Sequence, residues 1–426
     1  MKLRALALAL SACALGQTLW SGAHEGWTYD EAFHLRWSER FLETGVTERV
    51  SQERFNSKTP IMLPGVLARK AARALGVADP SALRFAARIP SCLWLLLLLA
   101  LVYAAGRRLS PTAASLAVIA AALDPNLAAH ASLATADMPF ACATLATLLA
   151  ADTLWKRPSA GPAVAVGVAL GLAFVAKVSA FLLLPGLAVL PFLAPRPDAA
   201  AARRRALALL LLAAVTAWLT VCVAYGFTEF ARPLESLGLR SALFTRLAAA
   251  LPGWGVPLPG AFVTAFDASL ASESQEFPVI VLGRRHPSGI WYYFAVVWAV
   301  KTPLLLLVAE VWGFVRAARD AGLRRHPFVR FLAWNLVLTL AYFSFLFRAQ
   351  VGFRYVLMLV PLGYVLAAAG LATLPPRPRW ALLGALVVAS ALAESAPYVG
   401  DPLAFTNAVV QPKRLAYRWL ADSNID

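Results

Sequence analysis

Two carboxylates stand side by side in Trp27-Thr28-Tyr29-Asp30-Glu31-Ala32-Phe33-His34. Adjacent acids can supply a general base, ligate a cation or cap a helix. As a base, a carboxylate must reach the nucleophile it deprotonates in a site dry enough to keep it basic. As a cap, Asp30 would serve the helical stretch 31–43. Further on, Phe55-Asn56-Ser57-Lys58-Thr59-Pro60-Ile61 puts an ammonium at a rigid turn before an amphipathic stretch, 61–75. Lys58 there can meet a phosphate as a point charge or face lipid headgroups. A third polar stretch runs Asp124-Pro125-Asn126 to His130, then Thr135-Ala136-Asp137-Met138-Pro139. Asp137 either takes part in chemistry or caps the helix that follows, with Pro139 in its first turn. Four further cations, Lys177, Lys301, Arg348 and Arg354, lie within or at the ends of apolar runs.

The elements that carry these groups are membrane spans. The 426 residues are 60% hydrophobic and only 15% charged, and the mean hydropathy is +0.66. Apolar stretches near the length of about 20 residues that crosses a bilayer recur along the chain. The net charge of +16 does not point to nucleic acid, because Lys and Arg sit in short clusters between apolar runs, as the positive-inside rule places them. Cys13, Cys92, Cys142 and Cys222 fall inside apolar segments without paired spacing, so neither a disulfide framework nor a metal site is expected.

The pattern predicts an all-α integral membrane protein of roughly eleven transmembrane helices with a cytoplasmic N-terminus. The first apolar run, 3–20, follows Lys2 and Arg4 and reads as a retained span rather than a cleaved signal. The others are expected near 85–106, 112–123, 138–155, 162–176, 180–193, 206–227, 290–315, 328–347, 353–371 and 380–396. Basic clusters such as Arg107-Arg108, Lys156-Arg157 and Arg203-Arg204-Arg205 then fall inside. Two long loops, 21–84 and 228–289, fall outside, the first with amphipathic helices. Residues 1–396 thus form one polytopic domain and 397–426 an outer C-terminal segment.

This sidedness gives the polar residues meaning. Lys177, Arg348 and Arg354 lie on the outer side, against the positive-inside trend. Lys301 sits about 16 Å into its apolar run at 1.5 Å per residue, so either that run begins as an interfacial helix or the lysine faces a polar cavity. Outer cations facing carboxylates suit an anionic, lipid-borne substrate such as a polyprenyl phosphate.

The order of these motifs resembles the GT-C glycosyltransferase superfamily, in the branch of protein O-mannosyltransferases and lipid A aminoarabinose transferases (glycosyltransferase family 39). Tyr29-Asp30-Glu31 resembles that family's acidic pair and Lys58-Thr59-Pro60 its Lys-Pro-Pro element. Arg88-Ile89-Pro90-Ser91 is similar to the start of its second span, and His130 to Asp137 resembles its His-to-Asp loop, with Ala136 where threonine is common. Ser288 to Phe294, Lys301-Thr302-Pro303 and Arg354-Tyr355 with Pro361 also fit.

The resemblance implies transfer, with inversion, of a sugar from a polyprenyl-phosphate donor to a lipid, glycan or protein acceptor on the non-cytoplasmic face of the plasma (inner) membrane. On that reading Asp30 is the general base, with Asp137 also catalytic. Glu31, Lys58, Arg88, His130, Lys177, Lys301, Arg348 and Arg354 bind substrate, the cations stabilising charge on the leaving phosphate. Some GT-C relatives use a divalent cation at paired carboxylates and others do not, and Asp30-Glu31 could ligate one. The resemblance also implies a chain cut short, since relatives continue beyond the element near Asp426. The competing expectation is a transporter or flippase for a lipid-linked or anionic substrate, which would place charge near mid-membrane, often with internal repeats. A non-catalytic scaffold leaves the shared side of cations and carboxylates unexplained.

Overall fold

A computed structural model of the chain describes residues 2–44, 60–193, 199–273 and 277–420. The elements are α1 (Lys2–His24), α2 (Tyr29–Thr44), α3 (Leu63–Ala74), α4 (Pro80–Arg107), α5 (Pro111–Ala122), α6 (Pro125–Ala131), α7 (Asp137–Lys156) and α8 (Ala160–Ala176). After a 3₁₀ turn, Val178–Leu182, come α9 (Leu183–Ala188), α10 (Leu190–Leu193) and α11 (Ala199–Ala224). The second long loop contributes α12 (Ala242–Ala250), α13 (Gly260–Glu273) and a hairpin of β1 (Val279–Val281) with β2 (Arg284–His286). Then follow α14 (Tyr293–Lys301), α15 (Leu304–Arg319), α16 (Ala321–Arg325), α17 (Pro327–Ala341), α18 (Val360–Leu371), α19 (Pro378–Ser395) and α20 (Ala416–Trp419).

Helix starts follow local chemistry. Asp79-Pro80, Ser110-Pro111 and Asp124-Pro125 open α4, α5 and α6. In each, the side chain accepts from a backbone N–H in the first turn while proline, lacking that N–H, takes the first helical position.

The expected apolar segments are all helical, but several are broken. Six helices are long and apolar enough to cross a bilayer, or seven if α5 and α6 count as one span bent by 66°. The expected span 290–315 is two helices. Pro303 has no N–H and drives Thr302 into extended backbone (φ −100°, ψ 134°), so α14 ends at Lys301. Lys301 therefore stands at a helix end rather than in mid-helix. The expected span 180–193 is likewise a 3₁₀ turn with two short helices, and the span 353–371 begins as two 3₁₀ turns before α18. The count of eleven rests on the basic-loop pattern and exceeds what helix length supports.

The core runs along α7 and α18. The apolar window of α7 is 83% buried, against 11% for α19 and 22% for α1, and every residue of α18 but Leu371 is buried. The less buried helices present apolar side chains outward. Small residues let helices approach: a Cβ on Gly171 of α8 would stand 2.9 Å from the Ala217 carbonyl oxygen of α11, and Gly167 is crowded by Ala213 and Thr216 one turn earlier. Helix α2 packs on α3 through fully buried Leu35 and Val66, and Lys70 pairs with Glu43 at 2.7 Å.

Gly171→Leu should overpack the α8–α11 seam and cost about 1–3 kcal/mol. The check is the thermal midpoint of the purified chain in detergent, which must fall; an unchanged midpoint contradicts the close packing.

Candidate active site

The foundation is a buried ion pair. Thr28 and Glu31 form a capping box at the start of α2, with the Thr28 N–H and hydroxyl both donating to Glu31 Oε2 at 3.0 Å. Asp30 lies within the first turn of α2. Glu31 and Arg88 are fully buried and joined by two bonds, Nε to Oε1 at 2.8 Å and Nη2 to Oε2 at 2.6 Å. The remaining Arg88 donors go to the carbonyls of Gly22 and Glu25 at 3.0 Å and Gly26 at 2.6 Å. A guanidinium has five N–H groups, and all are used. The Ala134 N–H also donates to Glu31 Oε1 at 2.8 Å. One ion pair therefore ties the outer end of α1, the start of α2, the first half of α4 and the loop before α7. Arg88 keeps no N–H for a ligand, and the two acids do not form a claw for a metal ion.

Neighbouring residues on a helix diverge by about 100°, so with Glu31 fixed Asp30 is aimed elsewhere, and it meets Arg354 in an ion pair. Arg354 follows Gly352, whose φ of 91° suits glycine and whose N–H donates to the Tyr293 hydroxyl at 2.7 Å. Beside this pair lies a second, Lys177 with Asp137. Lys177 occupies the extended link after α8 and also donates to the Arg354 carbonyl at 3.4 Å. His130 Nδ1 of α6 stands 3.8 Å from Asp137 Oδ2. The Tyr355 ring faces both cations, 5.7 Å from Lys177 Nζ and 5.6 Å from the Arg354 guanidinium carbon.

Asp30, His130 and Asp137 are buried, whereas the Lys177 and Arg354 side chains keep 13% and 16% exposure. The cations are thus the part of the cluster most open to a ligand. Among the described residues, two cations and two carboxylates meet here.

The other expected site residues sit differently. Lys58 lies outside the described residues. Arg348 is exposed and donates to the Gly289 carbonyl at 3.4 Å. Lys301 is buried, its ammonium donating to the Leu403 carbonyl at 2.6 Å and its own carbonyl accepting from Asn126 Nδ2 at 2.7 Å. Asn407 of the same outer segment donates to the carbonyls of Val300, Ala299 and Thr302, which the α14–α15 break leaves open. Asp137 is in the first turn of α7 and makes no side-chain cap. Among the described residues, no group of three or more His, Cys, Asp or Glu side chains could hold a metal ion.

Sequence reasoning missed Glu25. It accepts from the Ser21 hydroxyl at 2.9 Å and the Ser132 hydroxyl at 3.2 Å, and its place one residue beyond α1 gave no signal of burial. Burial raises its pKa from 4.5 to about 7, and Asp401 adds to the rise, against the Ser21 bond, Arg88 and the Ser132 bond.

Two outcomes follow. Arg88→Met should cost about 3–5 kcal/mol by leaving Glu31 buried and unpaired, read as lost monodisperse protein in detergent; full retention of fold contradicts the clamp. The folded chain keeps the Glu25 proton between pH 4.5 and about 7, where the unfolded chain has released it. Stability should therefore fall as pH rises through that window. Thermal midpoints of Glu25→Gln against the wild type should show a flatter pH dependence in the variant.

Comparison with known proteins is consistent with this frame. Residues 80–225 match the dolichyl-phosphate-mannose-protein mannosyltransferase family. ArnT from Cupriavidus metallidurans bound to undecaprenyl phosphate aligns with 96% of this chain at a TM-score of 0.62 and 19% identity, over 68% of its own length. Its apo state aligns with 92% at 0.57 and 17% identity, over 65% of its length. The apo oligosaccharyltransferase of Archaeoglobus fulgidus aligns with 94% at 0.60 and 13% identity, over 56% of its length. No curated protein matches the chain. Most of the chain thus shares its fold with ArnT and with the Archaeoglobus oligosaccharyltransferase.

Proposed function

We propose that the chain is a membrane glycosyltransferase that moves a sugar from a polyprenyl-phosphate donor to an acceptor hydroxyl at the non-cytoplasmic face of the plasma (inner) membrane. The carrying observation is the meeting of Asp30, Asp137, Lys177 and Arg354, whose two cations are the more exposed members. The undecaprenyl phosphate bound by ArnT supports a donor of this class. The short basic loops support the sidedness.

The reaction follows from charge. The donor is a phosphodiester carrying one negative charge. The acceptor oxygen attacks the anomeric carbon as the bond from that carbon to the phosphate oxygen breaks. The bonding electrons stay on the phosphate, and the hydroxyl proton passes to Asp30. The leaving phosphate gains one negative charge while Asp30 loses one, so the net charge of the site is constant. Lys177 and Arg354 stabilise the charge where it develops, in a site shielded from water. Attack opposite the leaving phosphate inverts the anomeric centre. Asp137 and His130 hold Lys177 and shape the pocket. Glu31 and Arg88 act as positioning residues, and Lys301 fixes the outer segment rather than meeting the donor.

Two differences separate this reading from transport of the same lipid. The charges sit at one end of the bundle, and a base is placed beside the anion site. The transfer of radiolabelled sugar from polyprenyl-phosphate donors in membranes tests it. Asp30→Asn should lower transfer about 10²–10⁴-fold at matched expression, the range of a positioned general base. Transfer equal to wild type contradicts Asp30 as the base. Lipid movement between leaflets without sugar transfer, under conditions where the donor binds, favours the transporter reading.

A further inference from the structure

We propose that the β1–β2 hairpin, α20 and the turn leading to Arg354 form a docking surface for the phosphate-bearing headgroup of an anionic membrane lipid, separate from the donor. This inference goes beyond the transferase reading and does not depend on it.

Four arginines reach this surface from three parts of the chain. In the hairpin, Arg284 pairs with Val281 and Arg285 with Ile280. Their side chains leave opposite faces of β2, and both are exposed. Helix α20 lies along the other edge of β1. Val281 bridges to Leu420, and the Gly283 N–H donates to the Trp419 carbonyl at 3.4 Å. Arg418, also exposed, thus stands beside the hairpin turn. The fourth is Arg348. Arg348 donates to the Gly289 carbonyl at 3.4 Å and Arg418 to the Tyr417 hydroxyl at 3.2 Å. Among the described residues, none of the four arginines is paired with a carboxylate.

Between Arg284 and Arg348 runs an aromatic row. His286 shares the face of β2 that carries Arg284, and its ring meets Tyr292 at 6.3 Å. Tyr292 meets Trp291 at 5.4 Å, and Trp291 stacks on Phe345 at 6.3 Å with the planes 5° apart. Trp291, Phe345 and Leu346 are 61%, 60% and 70% exposed. Exposed tryptophan on a membrane protein belongs at headgroup depth, which sets the arginines at the level of the lipid phosphates. Guanidinium forks grip phosphate oxygens with paired bonds. Gathered cations repel one another, and an anion among them relieves that repulsion. An acidic peptide would satisfy the arginines and leave the apolar row in water, whereas a lipid satisfies both.

The surface bears on the site because the two share one stretch of chain. The Ile290 N–H donates to Gln350 Oε1 and the Gly352 N–H to the Tyr293 hydroxyl, each at 2.7 Å. Residues 348–352 are thereby held against the start of α14, and Arg354 follows two residues on. A headgroup gripping Arg284 and Arg348 together buttresses the turn from which Arg354 enters the cluster.

The test reconstitutes the full chain in phosphatidylcholine nanodiscs carrying a small fraction of diazirine-bearing phosphatidylglycerol, or of phosphatidylcholine with the same diazirine. Labelled residues are mapped by mass spectrometry. Phosphatidylglycerol should label 284–291 and 345–348 about tenfold more than phosphatidylcholine does. Combining Arg284→Gln, Arg285→Gln and Arg418→Gln should remove that excess and leave labelling of the basic loop 319–325 unchanged. Equal labelling by the two probes, or an excess that the folded variant keeps, overturns the docking surface. Salt gives a readout in the wild type alone. Raising it from about 0.1 M to about 1 M shortens the screening length from about 10 Å to about 3 Å, and the excess should shrink accordingly. An excess indifferent to salt overturns the electrostatic grip. Inorganic phosphate that displaces the lipid better than chloride of equal ionic strength assigns the surface to free phosphate, and polyglutamate that does so assigns it to an acidic peptide. Either result overturns the lipid.

Discussion

A charge buried in a helical bundle must be paired, and the end of this protein that holds Asp30 and Glu31 is organised by that requirement. The Glu31–Arg88 pair is its most complete expression, with every guanidinium N–H used and both carboxylate oxygens occupied. Because it joins segments that start far apart in sequence, it sets where α2 begins and hence where Asp30 points. The four-charge cluster obeys the same requirement less completely. Each carboxylate has a cation, but the cations retain exposure, so the set is stable without a ligand and still able to accept one.

The second organising constraint is the backbone. Non-helical chain at membrane depth is tolerated only where protein or a polar cavity satisfies its open groups. The breaks here fall near the cluster. Asp124 caps α6 and accepts from the Tyr364 hydroxyl at 2.6 Å, anchoring the α5–α6 bend to α18. The α14–α15 break is closed by Asn407 and bridged to α6 by Asn126. Leu403 packs against Ala129 and Leu133, the residues flanking the part of α6 that carries His130. The outer segment thus belongs to the scaffold of the site, and Lys301 is the residue through which it is held.

Much of this was legible in the sequence because it follows from local chemistry. Apolar runs, adjacent acids and short basic clusters are all one-dimensional signals. The gathering of Asp30, His130, Asp137, Lys177 and Arg354 was an expectation from sidedness. What the sequence could not carry was partnership over distance. Nothing in Arg88 announces that Glu31, 57 residues earlier, consumes its capacity. Lys301 looked like a phosphate ligand because its partner at Leu403 is 102 residues away. Hydropathy also sums across a proline break, so the 290–315 run read as one span where the structure has two helices. The burial of Glu25 depends on the packing of Ser132 and Asp401, which no local pattern encodes.

The central claim is that Lys177 and Arg354 receive the donor phosphate beside Asp30. The most direct measurement is a cryo-electron microscopy structure of the chain with undecaprenyl phosphate bound. The account predicts phosphate density between the Lys177 ammonium and the Arg354 guanidinium, beside Asp30. Phosphate density seated instead at Lys301 or Arg348 would contradict it.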